Sequence, residues 1–231
     1  MMGIEAPVLV LAAHPDDEVL GCGGTIARLR ADGVVVQIAI LGEGATSRFA
    51  ERDDADDHFV ATLKNDARRA GGILGVDDVR LLGLPDNRFD TVPLLDIIKH
   101  IEAVISEVKP VTVFTQHGGD LNVDHQRLFQ ATLTACRPVQ GNSVRALFAY
   151  EVASSTEWAF GAFEPRFTPD LFVDIGEHLE TKIEAMQCYG NERRDPPHPR
   201  APDSLRSQAA RWGAGVGCSA AEAFQTVFHL V

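Results

Sequence analysis

Residues 8–29 read VLVLAAHPDDEVLGCGGTIARL and pass from an apolar run directly into His14, Pro15, Asp16, Asp17 and Glu18. The apolar run predicts a buried strand, and the segment after the acidic residues predicts a helix over 23–32. Three adjacent carboxylates repel one another unless a cation or strong hydrogen-bond donors lie among them. The acidic segment is therefore either the solvated start of a helix, whose positive end favours acids, or the binding site of a cation.

The chain up to residue 150 repeats this order of an apolar, β-branched run followed by a helical pattern. Helical spacing of apolar residues is clearest in PLLDIIKHIEAVISEV at 93–108. Continuous apolar strands that alternate with amphipathic helices are typical of a parallel sheet covered on both faces. We therefore predict an α/β fold with strands at 7–13, 34–40, 78–84, 111–115 and 144–150 and helices at 23–32, 55–75, 93–108 and 124–136.

The pattern changes after residue 150. Aromatic residues, proline and glycine are mixed at 154–170, a short strand and a helix are predicted within 171–189, and DPPHPRAP at 195–202 is a proline-rich loop. We expect residues 1–150 to form the core and residues 151–231 a smaller, irregular cap. The cap is expected to complete a cleft within the same structural domain.

The composition is that of a negatively charged globular protein. The chain has 231 residues, 45% of them apolar, and a formal net charge of −12. This charge argues against binding to nucleic acid or to anionic membranes, because both rely on Lys and Arg. The N-terminal apolar run is too short for a secretory signal or a membrane span. The four cysteines form no C-x-x-C pair, which indicates reduced thiols in a cytoplasmic protein.

Polar loops follow four of the predicted strands, at 14–18, 42–48, 85–90 and 117–125. In open α/β sheets, ligands bind beyond the carboxyl ends of the strands. We therefore expect all four loops to face one crevice.

Two of these loops contain the residue types of a metal site. The segment QHGGDLNVDHQ at 116–126 again combines histidine, aspartate and glycine at a strand end. A histidine and a carboxylate from the first loop, joined by a histidine from this one, make the three-ligand set of a zinc enzyme. His14 and Asp17 are one helical turn apart, so both can point at one ion. Asp16 lies between them, would point elsewhere, and could take a proton from a water on the metal.

These residues resemble the LmbE/PIG-L deacetylase family. The resemblance rests on AAHPDDE at 12–18 and the later Asp124-His125, with LGLPDN at 82–87 and RRAGGILGV at 68–76, and covers most of residues 5–150. It implies a Rossmann-like, mostly parallel sheet and a zinc-dependent hydrolase that removes acetyl groups from N-acetylated amino sugars or their conjugates. By the same resemblance, His14, Asp17 and His125 hold Zn²⁺ or another divalent metal, and Asp16 is the general base.

One position departs from the family pattern. Family members commonly have H-P-D-H where this chain has Asn122, Val123, Asp124 and His125. Asn122 can donate a hydrogen bond to an oxyanion but cannot supply a proton. The leaving amine would then be protonated by Asp16 or by another histidine. Asp124 is expected to orient neighbouring groups at the metal.

The substrate is expected to be a small N-acetylated sugar or conjugate. We predict that it contacts Arg48, Asp86, His117 and His198, which lie in polar or proline-rich loops. The segment GCGG at 21–24 lacks the third glycine of a dinucleotide loop, so NAD binding is not expected. A homo-oligomer is compatible with the sequence. The alternative is a non-catalytic, metal-containing sugar-binding or regulatory protein that has lost the second-motif histidine.

Overall fold

The computed structural model describes residues 3–45 and 57–231, apart from the side chain of Asp57. Its strands are β1 (Val8–Ala12), β2 (Val36–Gly42), β3 (Val79–Leu84), β4 (Thr112–Gln116), β5 (Ala146–Tyr150), β6 (Leu171–Asp174) and β7 (Ala221–His229). Its helices are α1 (Asp17–Ala31), α2 (Asp57–Ile73), α3 (Leu94–Val108), α4 (Val123–Ala135), α5 (Leu179–Gln187) and α6 (Pro202–Val216).

The strands form a single mixed sheet in the order β3-β2-β1-β4-β5-β7-β6 across the described residues. Strands β1 to β5 pair in parallel, with β1 between β2 and β4. Parallel neighbours place their carboxyl ends on one edge, so the loops that follow them can meet there. The predicted α/β fold with a mostly parallel sheet is confirmed.

Both faces of the sheet are buried, as the unbroken apolar runs predict. Along β1, Val8 and Val10 pack on the face covered by α1, α2, α5 and α6. Leu9 and Leu11 pack on the opposite face, against α3 and α4. All four side chains are at most 1% exposed. Burying such a side chain stabilises the fold by about 1.5–3 kcal/mol, so β1 cannot move without a large loss of stability.

Glycines in α1 let this helix pack closely beneath the acidic segment. A Cβ atom at Gly21 would lie 2.1 Å from the ring of Tyr150, and one at Gly24 would lie 2.7 Å from Ile175. The Tyr150 hydroxyl in turn donates to the carbonyl oxygen of Leu11 at 2.7 Å. The glycine-rich segment therefore fixes the start of α1 against β1 and β5.

The C-terminal third contains more regular structure than its sequence indicates. Strand β7 pairs antiparallel with both β5 and β6, and so extends the same sheet. Helices α5 and α6 cover one of its faces, while 188–201 and most of 151–170 follow irregular paths. Among the described helices, none combines the length and apolarity that a membrane span requires.

Candidate active site

Polar loops that follow β1, β3 and β4 meet at one edge of the sheet, and the loop after β2 joins them through Gly44. We call residues 14–18, 85–90 and 117–125 the strand-end loops, and residues 188–201 the cap segment. Both contribute to a cavity of about 110 Å³. Its walls consist of His14, Pro15, Asp16, Gly44, Asp86, Asn87, Asn122, Glu192 and Arg200.

Beside this cavity, His14, Asp17 and His125 form a cluster that could hold a metal ion. Nδ1 of His14 and Nε2 of His125 each lie 3.3 Å from Oδ2 of Asp17. The possible ligand atoms of the three residues all lie within 4.8 Å of one another. Ligands at about 2.0–2.1 Å from a tetrahedral zinc ion are themselves about 3.3–3.4 Å apart. The spacing and the donor types therefore fit a zinc site.

Backbone and side-chain donors fix the carboxylate of Asp17. The backbone N–H of His14 and Nε2 of Gln116 each donate to Oδ2 of Asp17 at 2.8 Å. Gln116 is the last residue of β4, and Asp17 is the first of α1. The carboxylate is thus held by the two neighbouring strand ends.

Asp124 binds the far side of the His14 ring. Its Oδ2 lies 2.9 Å from Nε2 of His14, and its Oδ1 accepts the backbone N–H of Phe89 at 2.8 Å. Oδ1 of Asp86 lies 3.2 Å from the same Nε2, so His14, Asp86 and Asp124 form a second group of possible ligands. His14 belongs to both groups. Its Nδ1 can bind an ion held with Asp17 and His125, while its Nε2 stays bound to Asp124.

His125 has a similar arrangement. Its Nδ1 lies 3.1 Å from Oδ1 of Asp120. Both ring nitrogens are buried, and neither makes a hydrogen bond of good geometry within the described ranges. A buried nitrogen without a partner costs free energy, and a metal ion on Nε2 would remove that cost.

The charges of this cluster determine the pKa values of its members. Burial acts to lower the pKa of His125, but the charges of Asp17 and Asp120 outweigh it and raise the pKa to about 9. Burial also acts to lower the pKa of His14, but hydrogen bonds to Asp124 and Asp17 outweigh it and hold that pKa well above its ordinary value. Burial acts to raise the pKa of Asp17, but the two imidazoles hold it far below its usual range. A cation is therefore favoured among these carboxylates, and a metal ion would displace the imidazole protons.

Asp16 points away from this cluster and lines the cavity. Its φ of 116° lies in a region that is unfavourable for residues other than glycine. This conformation turns its side chain away from Asp17, as the sequence predicts for the residue between two ligands. Burial raises the pKa of Asp16 to about 7, although Arg200 opposes the shift. A carboxylate with a pKa near neutrality is suited to accept a proton and return it.

The cap segment contributes site residues that the sequence analysis missed. Nη1 of Arg200 donates to Oδ2 of Asp16 at 2.6 Å and to Glu192 at 3.2 Å. The Tyr189 hydroxyl donates to the buried carboxylate of Glu18. The one sequence feature that points to Arg200 is that it is the only Lys or Arg in DPPHPRAP, which is weak evidence for a site residue. Nothing in the sequence places this loop beside the acidic segment.

Asn122 lines the cavity, and its side-chain amide has two partners. Its Oδ1 caps α4 by accepting the backbone N–H of Asp124 at 2.8 Å. Its Nδ2 donates to Oδ1 of Asn87 at 2.9 Å, and Nδ2 of Asn87 donates to Asp86 at 3.0 Å. The cap and this chain of amides fix which way the Asn122 amide faces.

The remaining predicted substrate residues are placed elsewhere. His117 is 1% exposed and its ring packs against Phe129 and Phe167, away from the cavity walls. His198 is half-buried: its ring packs edge-on against Trp158, and its Nδ1 accepts the backbone N–H of Arg200 at 3.1 Å. Arg48 lies outside the described residues. Of the three that the structure describes, only Asp86 lies in the cavity wall.

The sequence matches a known protein family. The family described as "PIG-L: GlcNAc-PI de-N-acetylase" matches residues 9–136. The chain belongs to this family. It is 31% identical over 234 residues to the 1D-myo-inositol 2-acetamido-2-deoxy-alpha-D-glucopyranoside deacetylase of Actinosynnema mirum, covering 81% of this chain and 82% of the relative. It is 28% identical over 198 residues to the "Probable N-acetyl-alpha-D-glucosaminyl L-malate deacetylase 2" of Bacillus cereus, covering 82% and 84%.

Solved structures share the fold. The N,N'-diacetylchitobiose deacetylase of Pyrococcus horikoshii has a TM-score of 0.77 and 20% identity, covering 95% of this chain and 83% of that chain. The 4-carboxy-2-hydroxymuconate hydratase GalB of Pseudomonas putida KT2440 has a TM-score of 0.76 and 22% identity, covering 97% of each chain. Because a deacetylase and a hydratase share this fold, the reaction has to be inferred from the site.

Proposed function

We propose that the protein is a zinc-dependent hydrolase that removes the acetyl group from an N-acetylamino sugar or sugar conjugate. The observation that carries this proposal is the cluster of His14, Asp17 and His125 with Asp16 facing the adjoining cavity. The relatives from Actinosynnema mirum and Bacillus cereus are named as deacetylases of N-acetylglucosamine conjugates, which supports the same substrate class.

His14, Asp17 and His125 would hold the metal through Nδ1, Oδ2 and Nε2. Zinc bound there would supply Lewis acidity, which activates water at neutral pH and polarises a carbonyl group. Asp124 would keep the His14 ring in place, because its Oδ2 lies 2.9 Å from Nε2. Zinc is proposed over other divalent ions because two imidazoles and one carboxylate match its ligand preference.

Asp16 would act as the general base and then as the acid. Its carboxylate takes a proton from the attacking water while the water oxygen bonds to the acetyl carbon. The same proton is then delivered to the nitrogen as the C–N bond breaks, which releases acetate and a free amine. One group can do both because its pKa is raised by burial to about 7. Arg200 would keep the carboxylate turned into the cavity through its 2.6 Å hydrogen bond.

Asn122 would donate a hydrogen bond to the oxyanion that forms on the acetyl oxygen. A neutral amide suits this role because it needs no proton transfer, only a fixed N–H. Its orientation is set by the cap on α4 and by Asn87. Asp86, which contacts Asn87 and lines the cavity, would bind sugar hydroxyls.

The C-terminal residues 151–231 would complete the substrate cleft, since Glu192 and Arg200 line the cavity. Contacts of Arg48, His117 and His198 with substrate stay predictions. The four cysteines are free, and three of them are buried, which supports the proposed cytoplasmic location.

The proposal is tested by incubating the zinc-loaded protein with N-acetylglucosamine, N,N'-diacetylchitobiose, N-acetylglucosaminyl malate and N-acetylglucosaminyl inositol. We expect acetate and free amine to be released in equal amounts from at least one of them. Asp16→Asn should retain zinc and lose this activity. Zinc binding without acetate release from any of the four compounds would instead support the alternative, a non-catalytic sugar-binding or regulatory protein. The observation that favours this alternative is Asn122, which stands where family members commonly have a histidine.

A further inference from the structure

Asp120 is a buried carboxylate that the proposed reaction does not use. It lies in the loop between β4 and α4 and is 0% exposed. Burying an ionised carboxylate is costly unless donors or cations surround it. The function of this charge therefore has to be sought among its neighbours.

Donors from two strand ends surround Asp120. Thr156 donates to Oδ2 at 2.6 Å, and Ser155 donates to Oδ1. The backbone N–H of Asn122 also donates to Oδ1, at 2.8 Å. Ser155 and Thr156 follow β5, whereas Asp120 follows β4, so the carboxylate is fixed to both strand ends. Its position is thereby set before any ligand binds.

The remaining neighbour is the imidazole of His125. Nδ1 of this ring lies 3.1 Å from Oδ1 of Asp120. A histidine that binds a metal through Nε2 carries its proton on Nδ1, and an acceptor at that proton fixes the tautomer and the ring orientation. Both ring nitrogens of His125 are buried, and Nε2 lies 3.3 Å from Oδ2 of Asp17, on the side of the other possible metal ligands.

We propose that Asp120 is a positioning residue of the metal centre: it holds the proton on Nδ1 of His125, so that Nε2 faces the ion. The inference rests on the proposed function, because it requires that His125 be a metal ligand. Asp124 has the equivalent position on His14. The two carboxylates thus orient the two imidazoles from opposite ends of the cluster.

The test is the zinc affinity of the folded protein, measured by competition with a chromophoric chelator. Asp120→Asn is nearly isosteric, and its amide oxygen can still accept hydrogen bonds from Ser155 and the Asn122 backbone at the position of Oδ1, while the Thr156 hydroxyl can turn to accept from the new amide N–H. It removes the charge that faces Nδ1. We expect zinc to bind about 10–100-fold more weakly, which is the usual effect of losing such a partner.

Asp174→Asn is the matched control. Oδ1 of Asp174 accepts the backbone N–H of Gly176 at 2.9 Å, in the same i to i+2 turn that Asp120 makes with Asn122. Asp174 is the exposed last residue of β6, so the zinc affinity of Asp174→Asn should equal that of the wild type. If Asp120→Asn does not fold, Ser155→Ala loosens the carboxylate instead and should weaken zinc binding by a smaller factor.

The outcomes separate the two proposals. Wild-type zinc affinity in folded Asp120→Asn, or in Ser155→Ala where that variant is used, would overturn the positioning role and leave the proposed function intact. A wild-type protein that binds no zinc would overturn the metal site itself, and the inference with it. A loss of affinity in Asp120→Asn but not in Asp174→Asn is the result that supports the inference.

Discussion

The strand-end loops and the cap segment contribute to the same cavity in different ways. The strand-end loops supply the possible metal ligands His14, Asp17 and His125, which follow β1 and β4, two strands that are buried along their whole length. The cap segment supplies Arg200 and Tyr189, which contact acidic residues at the start of α1. Under the proposed function, the first region would contain the reactive groups, and the second would adjust their orientation.

The two regions also differ in how far the family match covers them. The family match covers residues 9–136, which include His14, Asp17 and His125 but not Arg200 or Tyr189. Changes in the strand-end loops should therefore abolish the reaction, whereas changes in the cap segment should reduce it. The predictions below test this difference, beginning with the largest effect.

Asp16→Asn should reduce kcat by about 10²–10⁴-fold, because the amide cannot accept the proton of the attacking water. The substitution keeps the shape of the side chain, so zinc content should be unchanged. Turnover of the best substrate and zinc content by elemental analysis measure the two effects. Full activity in this variant would falsify the assignment of Asp16 as the base.

Asn122→Ser should reduce kcat by about 10²–10³-fold, because it removes the N–H that is proposed to face the oxyanion. Serine is also a good N-cap, so α4 should keep its start and the protein its stability. Steady-state kinetics and urea unfolding measure the two effects. Unchanged kcat would show that the amide of Asn122 is not needed in the reaction.

Arg200→Ala should reduce kcat by about 10–100-fold, because the Asp16 carboxylate loses the hydrogen bond that holds it in place. The effect on KM should be smaller. Arg200→Lys should recover part of the loss. In an Asp16→Asn background, Arg200→Ala should have little further effect, because the two residues act as one unit. Arg193→Ala, an exposed position in the same segment, is the control. Additive losses in the double variant would mean that Arg200 acts independently of Asp16.

Tyr189→Phe should destabilise the protein by about 1–3 kcal/mol, because the buried carboxylate of Glu18 loses a donor. Its effect on kcat should be the smallest of the series, since Glu18 does not line the cavity. Urea unfolding and steady-state kinetics measure these effects. A loss of kcat as large as that of Asp16→Asn would place the cap segment in the reaction itself.

The sequence allowed much of the N-terminal fold to be predicted, for a physical reason. Strands buried on both faces must be largely apolar, which makes β1, β2, β4 and β5 recognisable, whereas β3 is only partly buried. The start of α1 was placed too late, at residue 23 instead of 17, because charged residues and glycines are unusual in a buried helical turn. Here Asp17 and Glu18 have buried partners, and Gly21 is required by contact with Tyr150.

The C-terminal contribution was harder to predict. Strand β7 was not recognised, because polar residues such as Glu222, Gln225 and Thr226 interrupt its apolar pattern. Its partner β5 is also distant in sequence. His198 was predicted to contact substrate, but in the structure its neighbour Arg200 lines the cavity. In a long irregular segment, residue spacing does not predict which side chains face the cavity.

The most direct test of the metal centre is anomalous diffraction at the zinc absorption edge from crystals of the zinc-loaded protein. We expect one strong peak about 2.0–2.2 Å from Nδ1 of His14, Oδ2 of Asp17 and Nε2 of His125. A peak on Nε2 of His14 with Asp86 and Asp124, or no peak between the two imidazoles, would contradict the account.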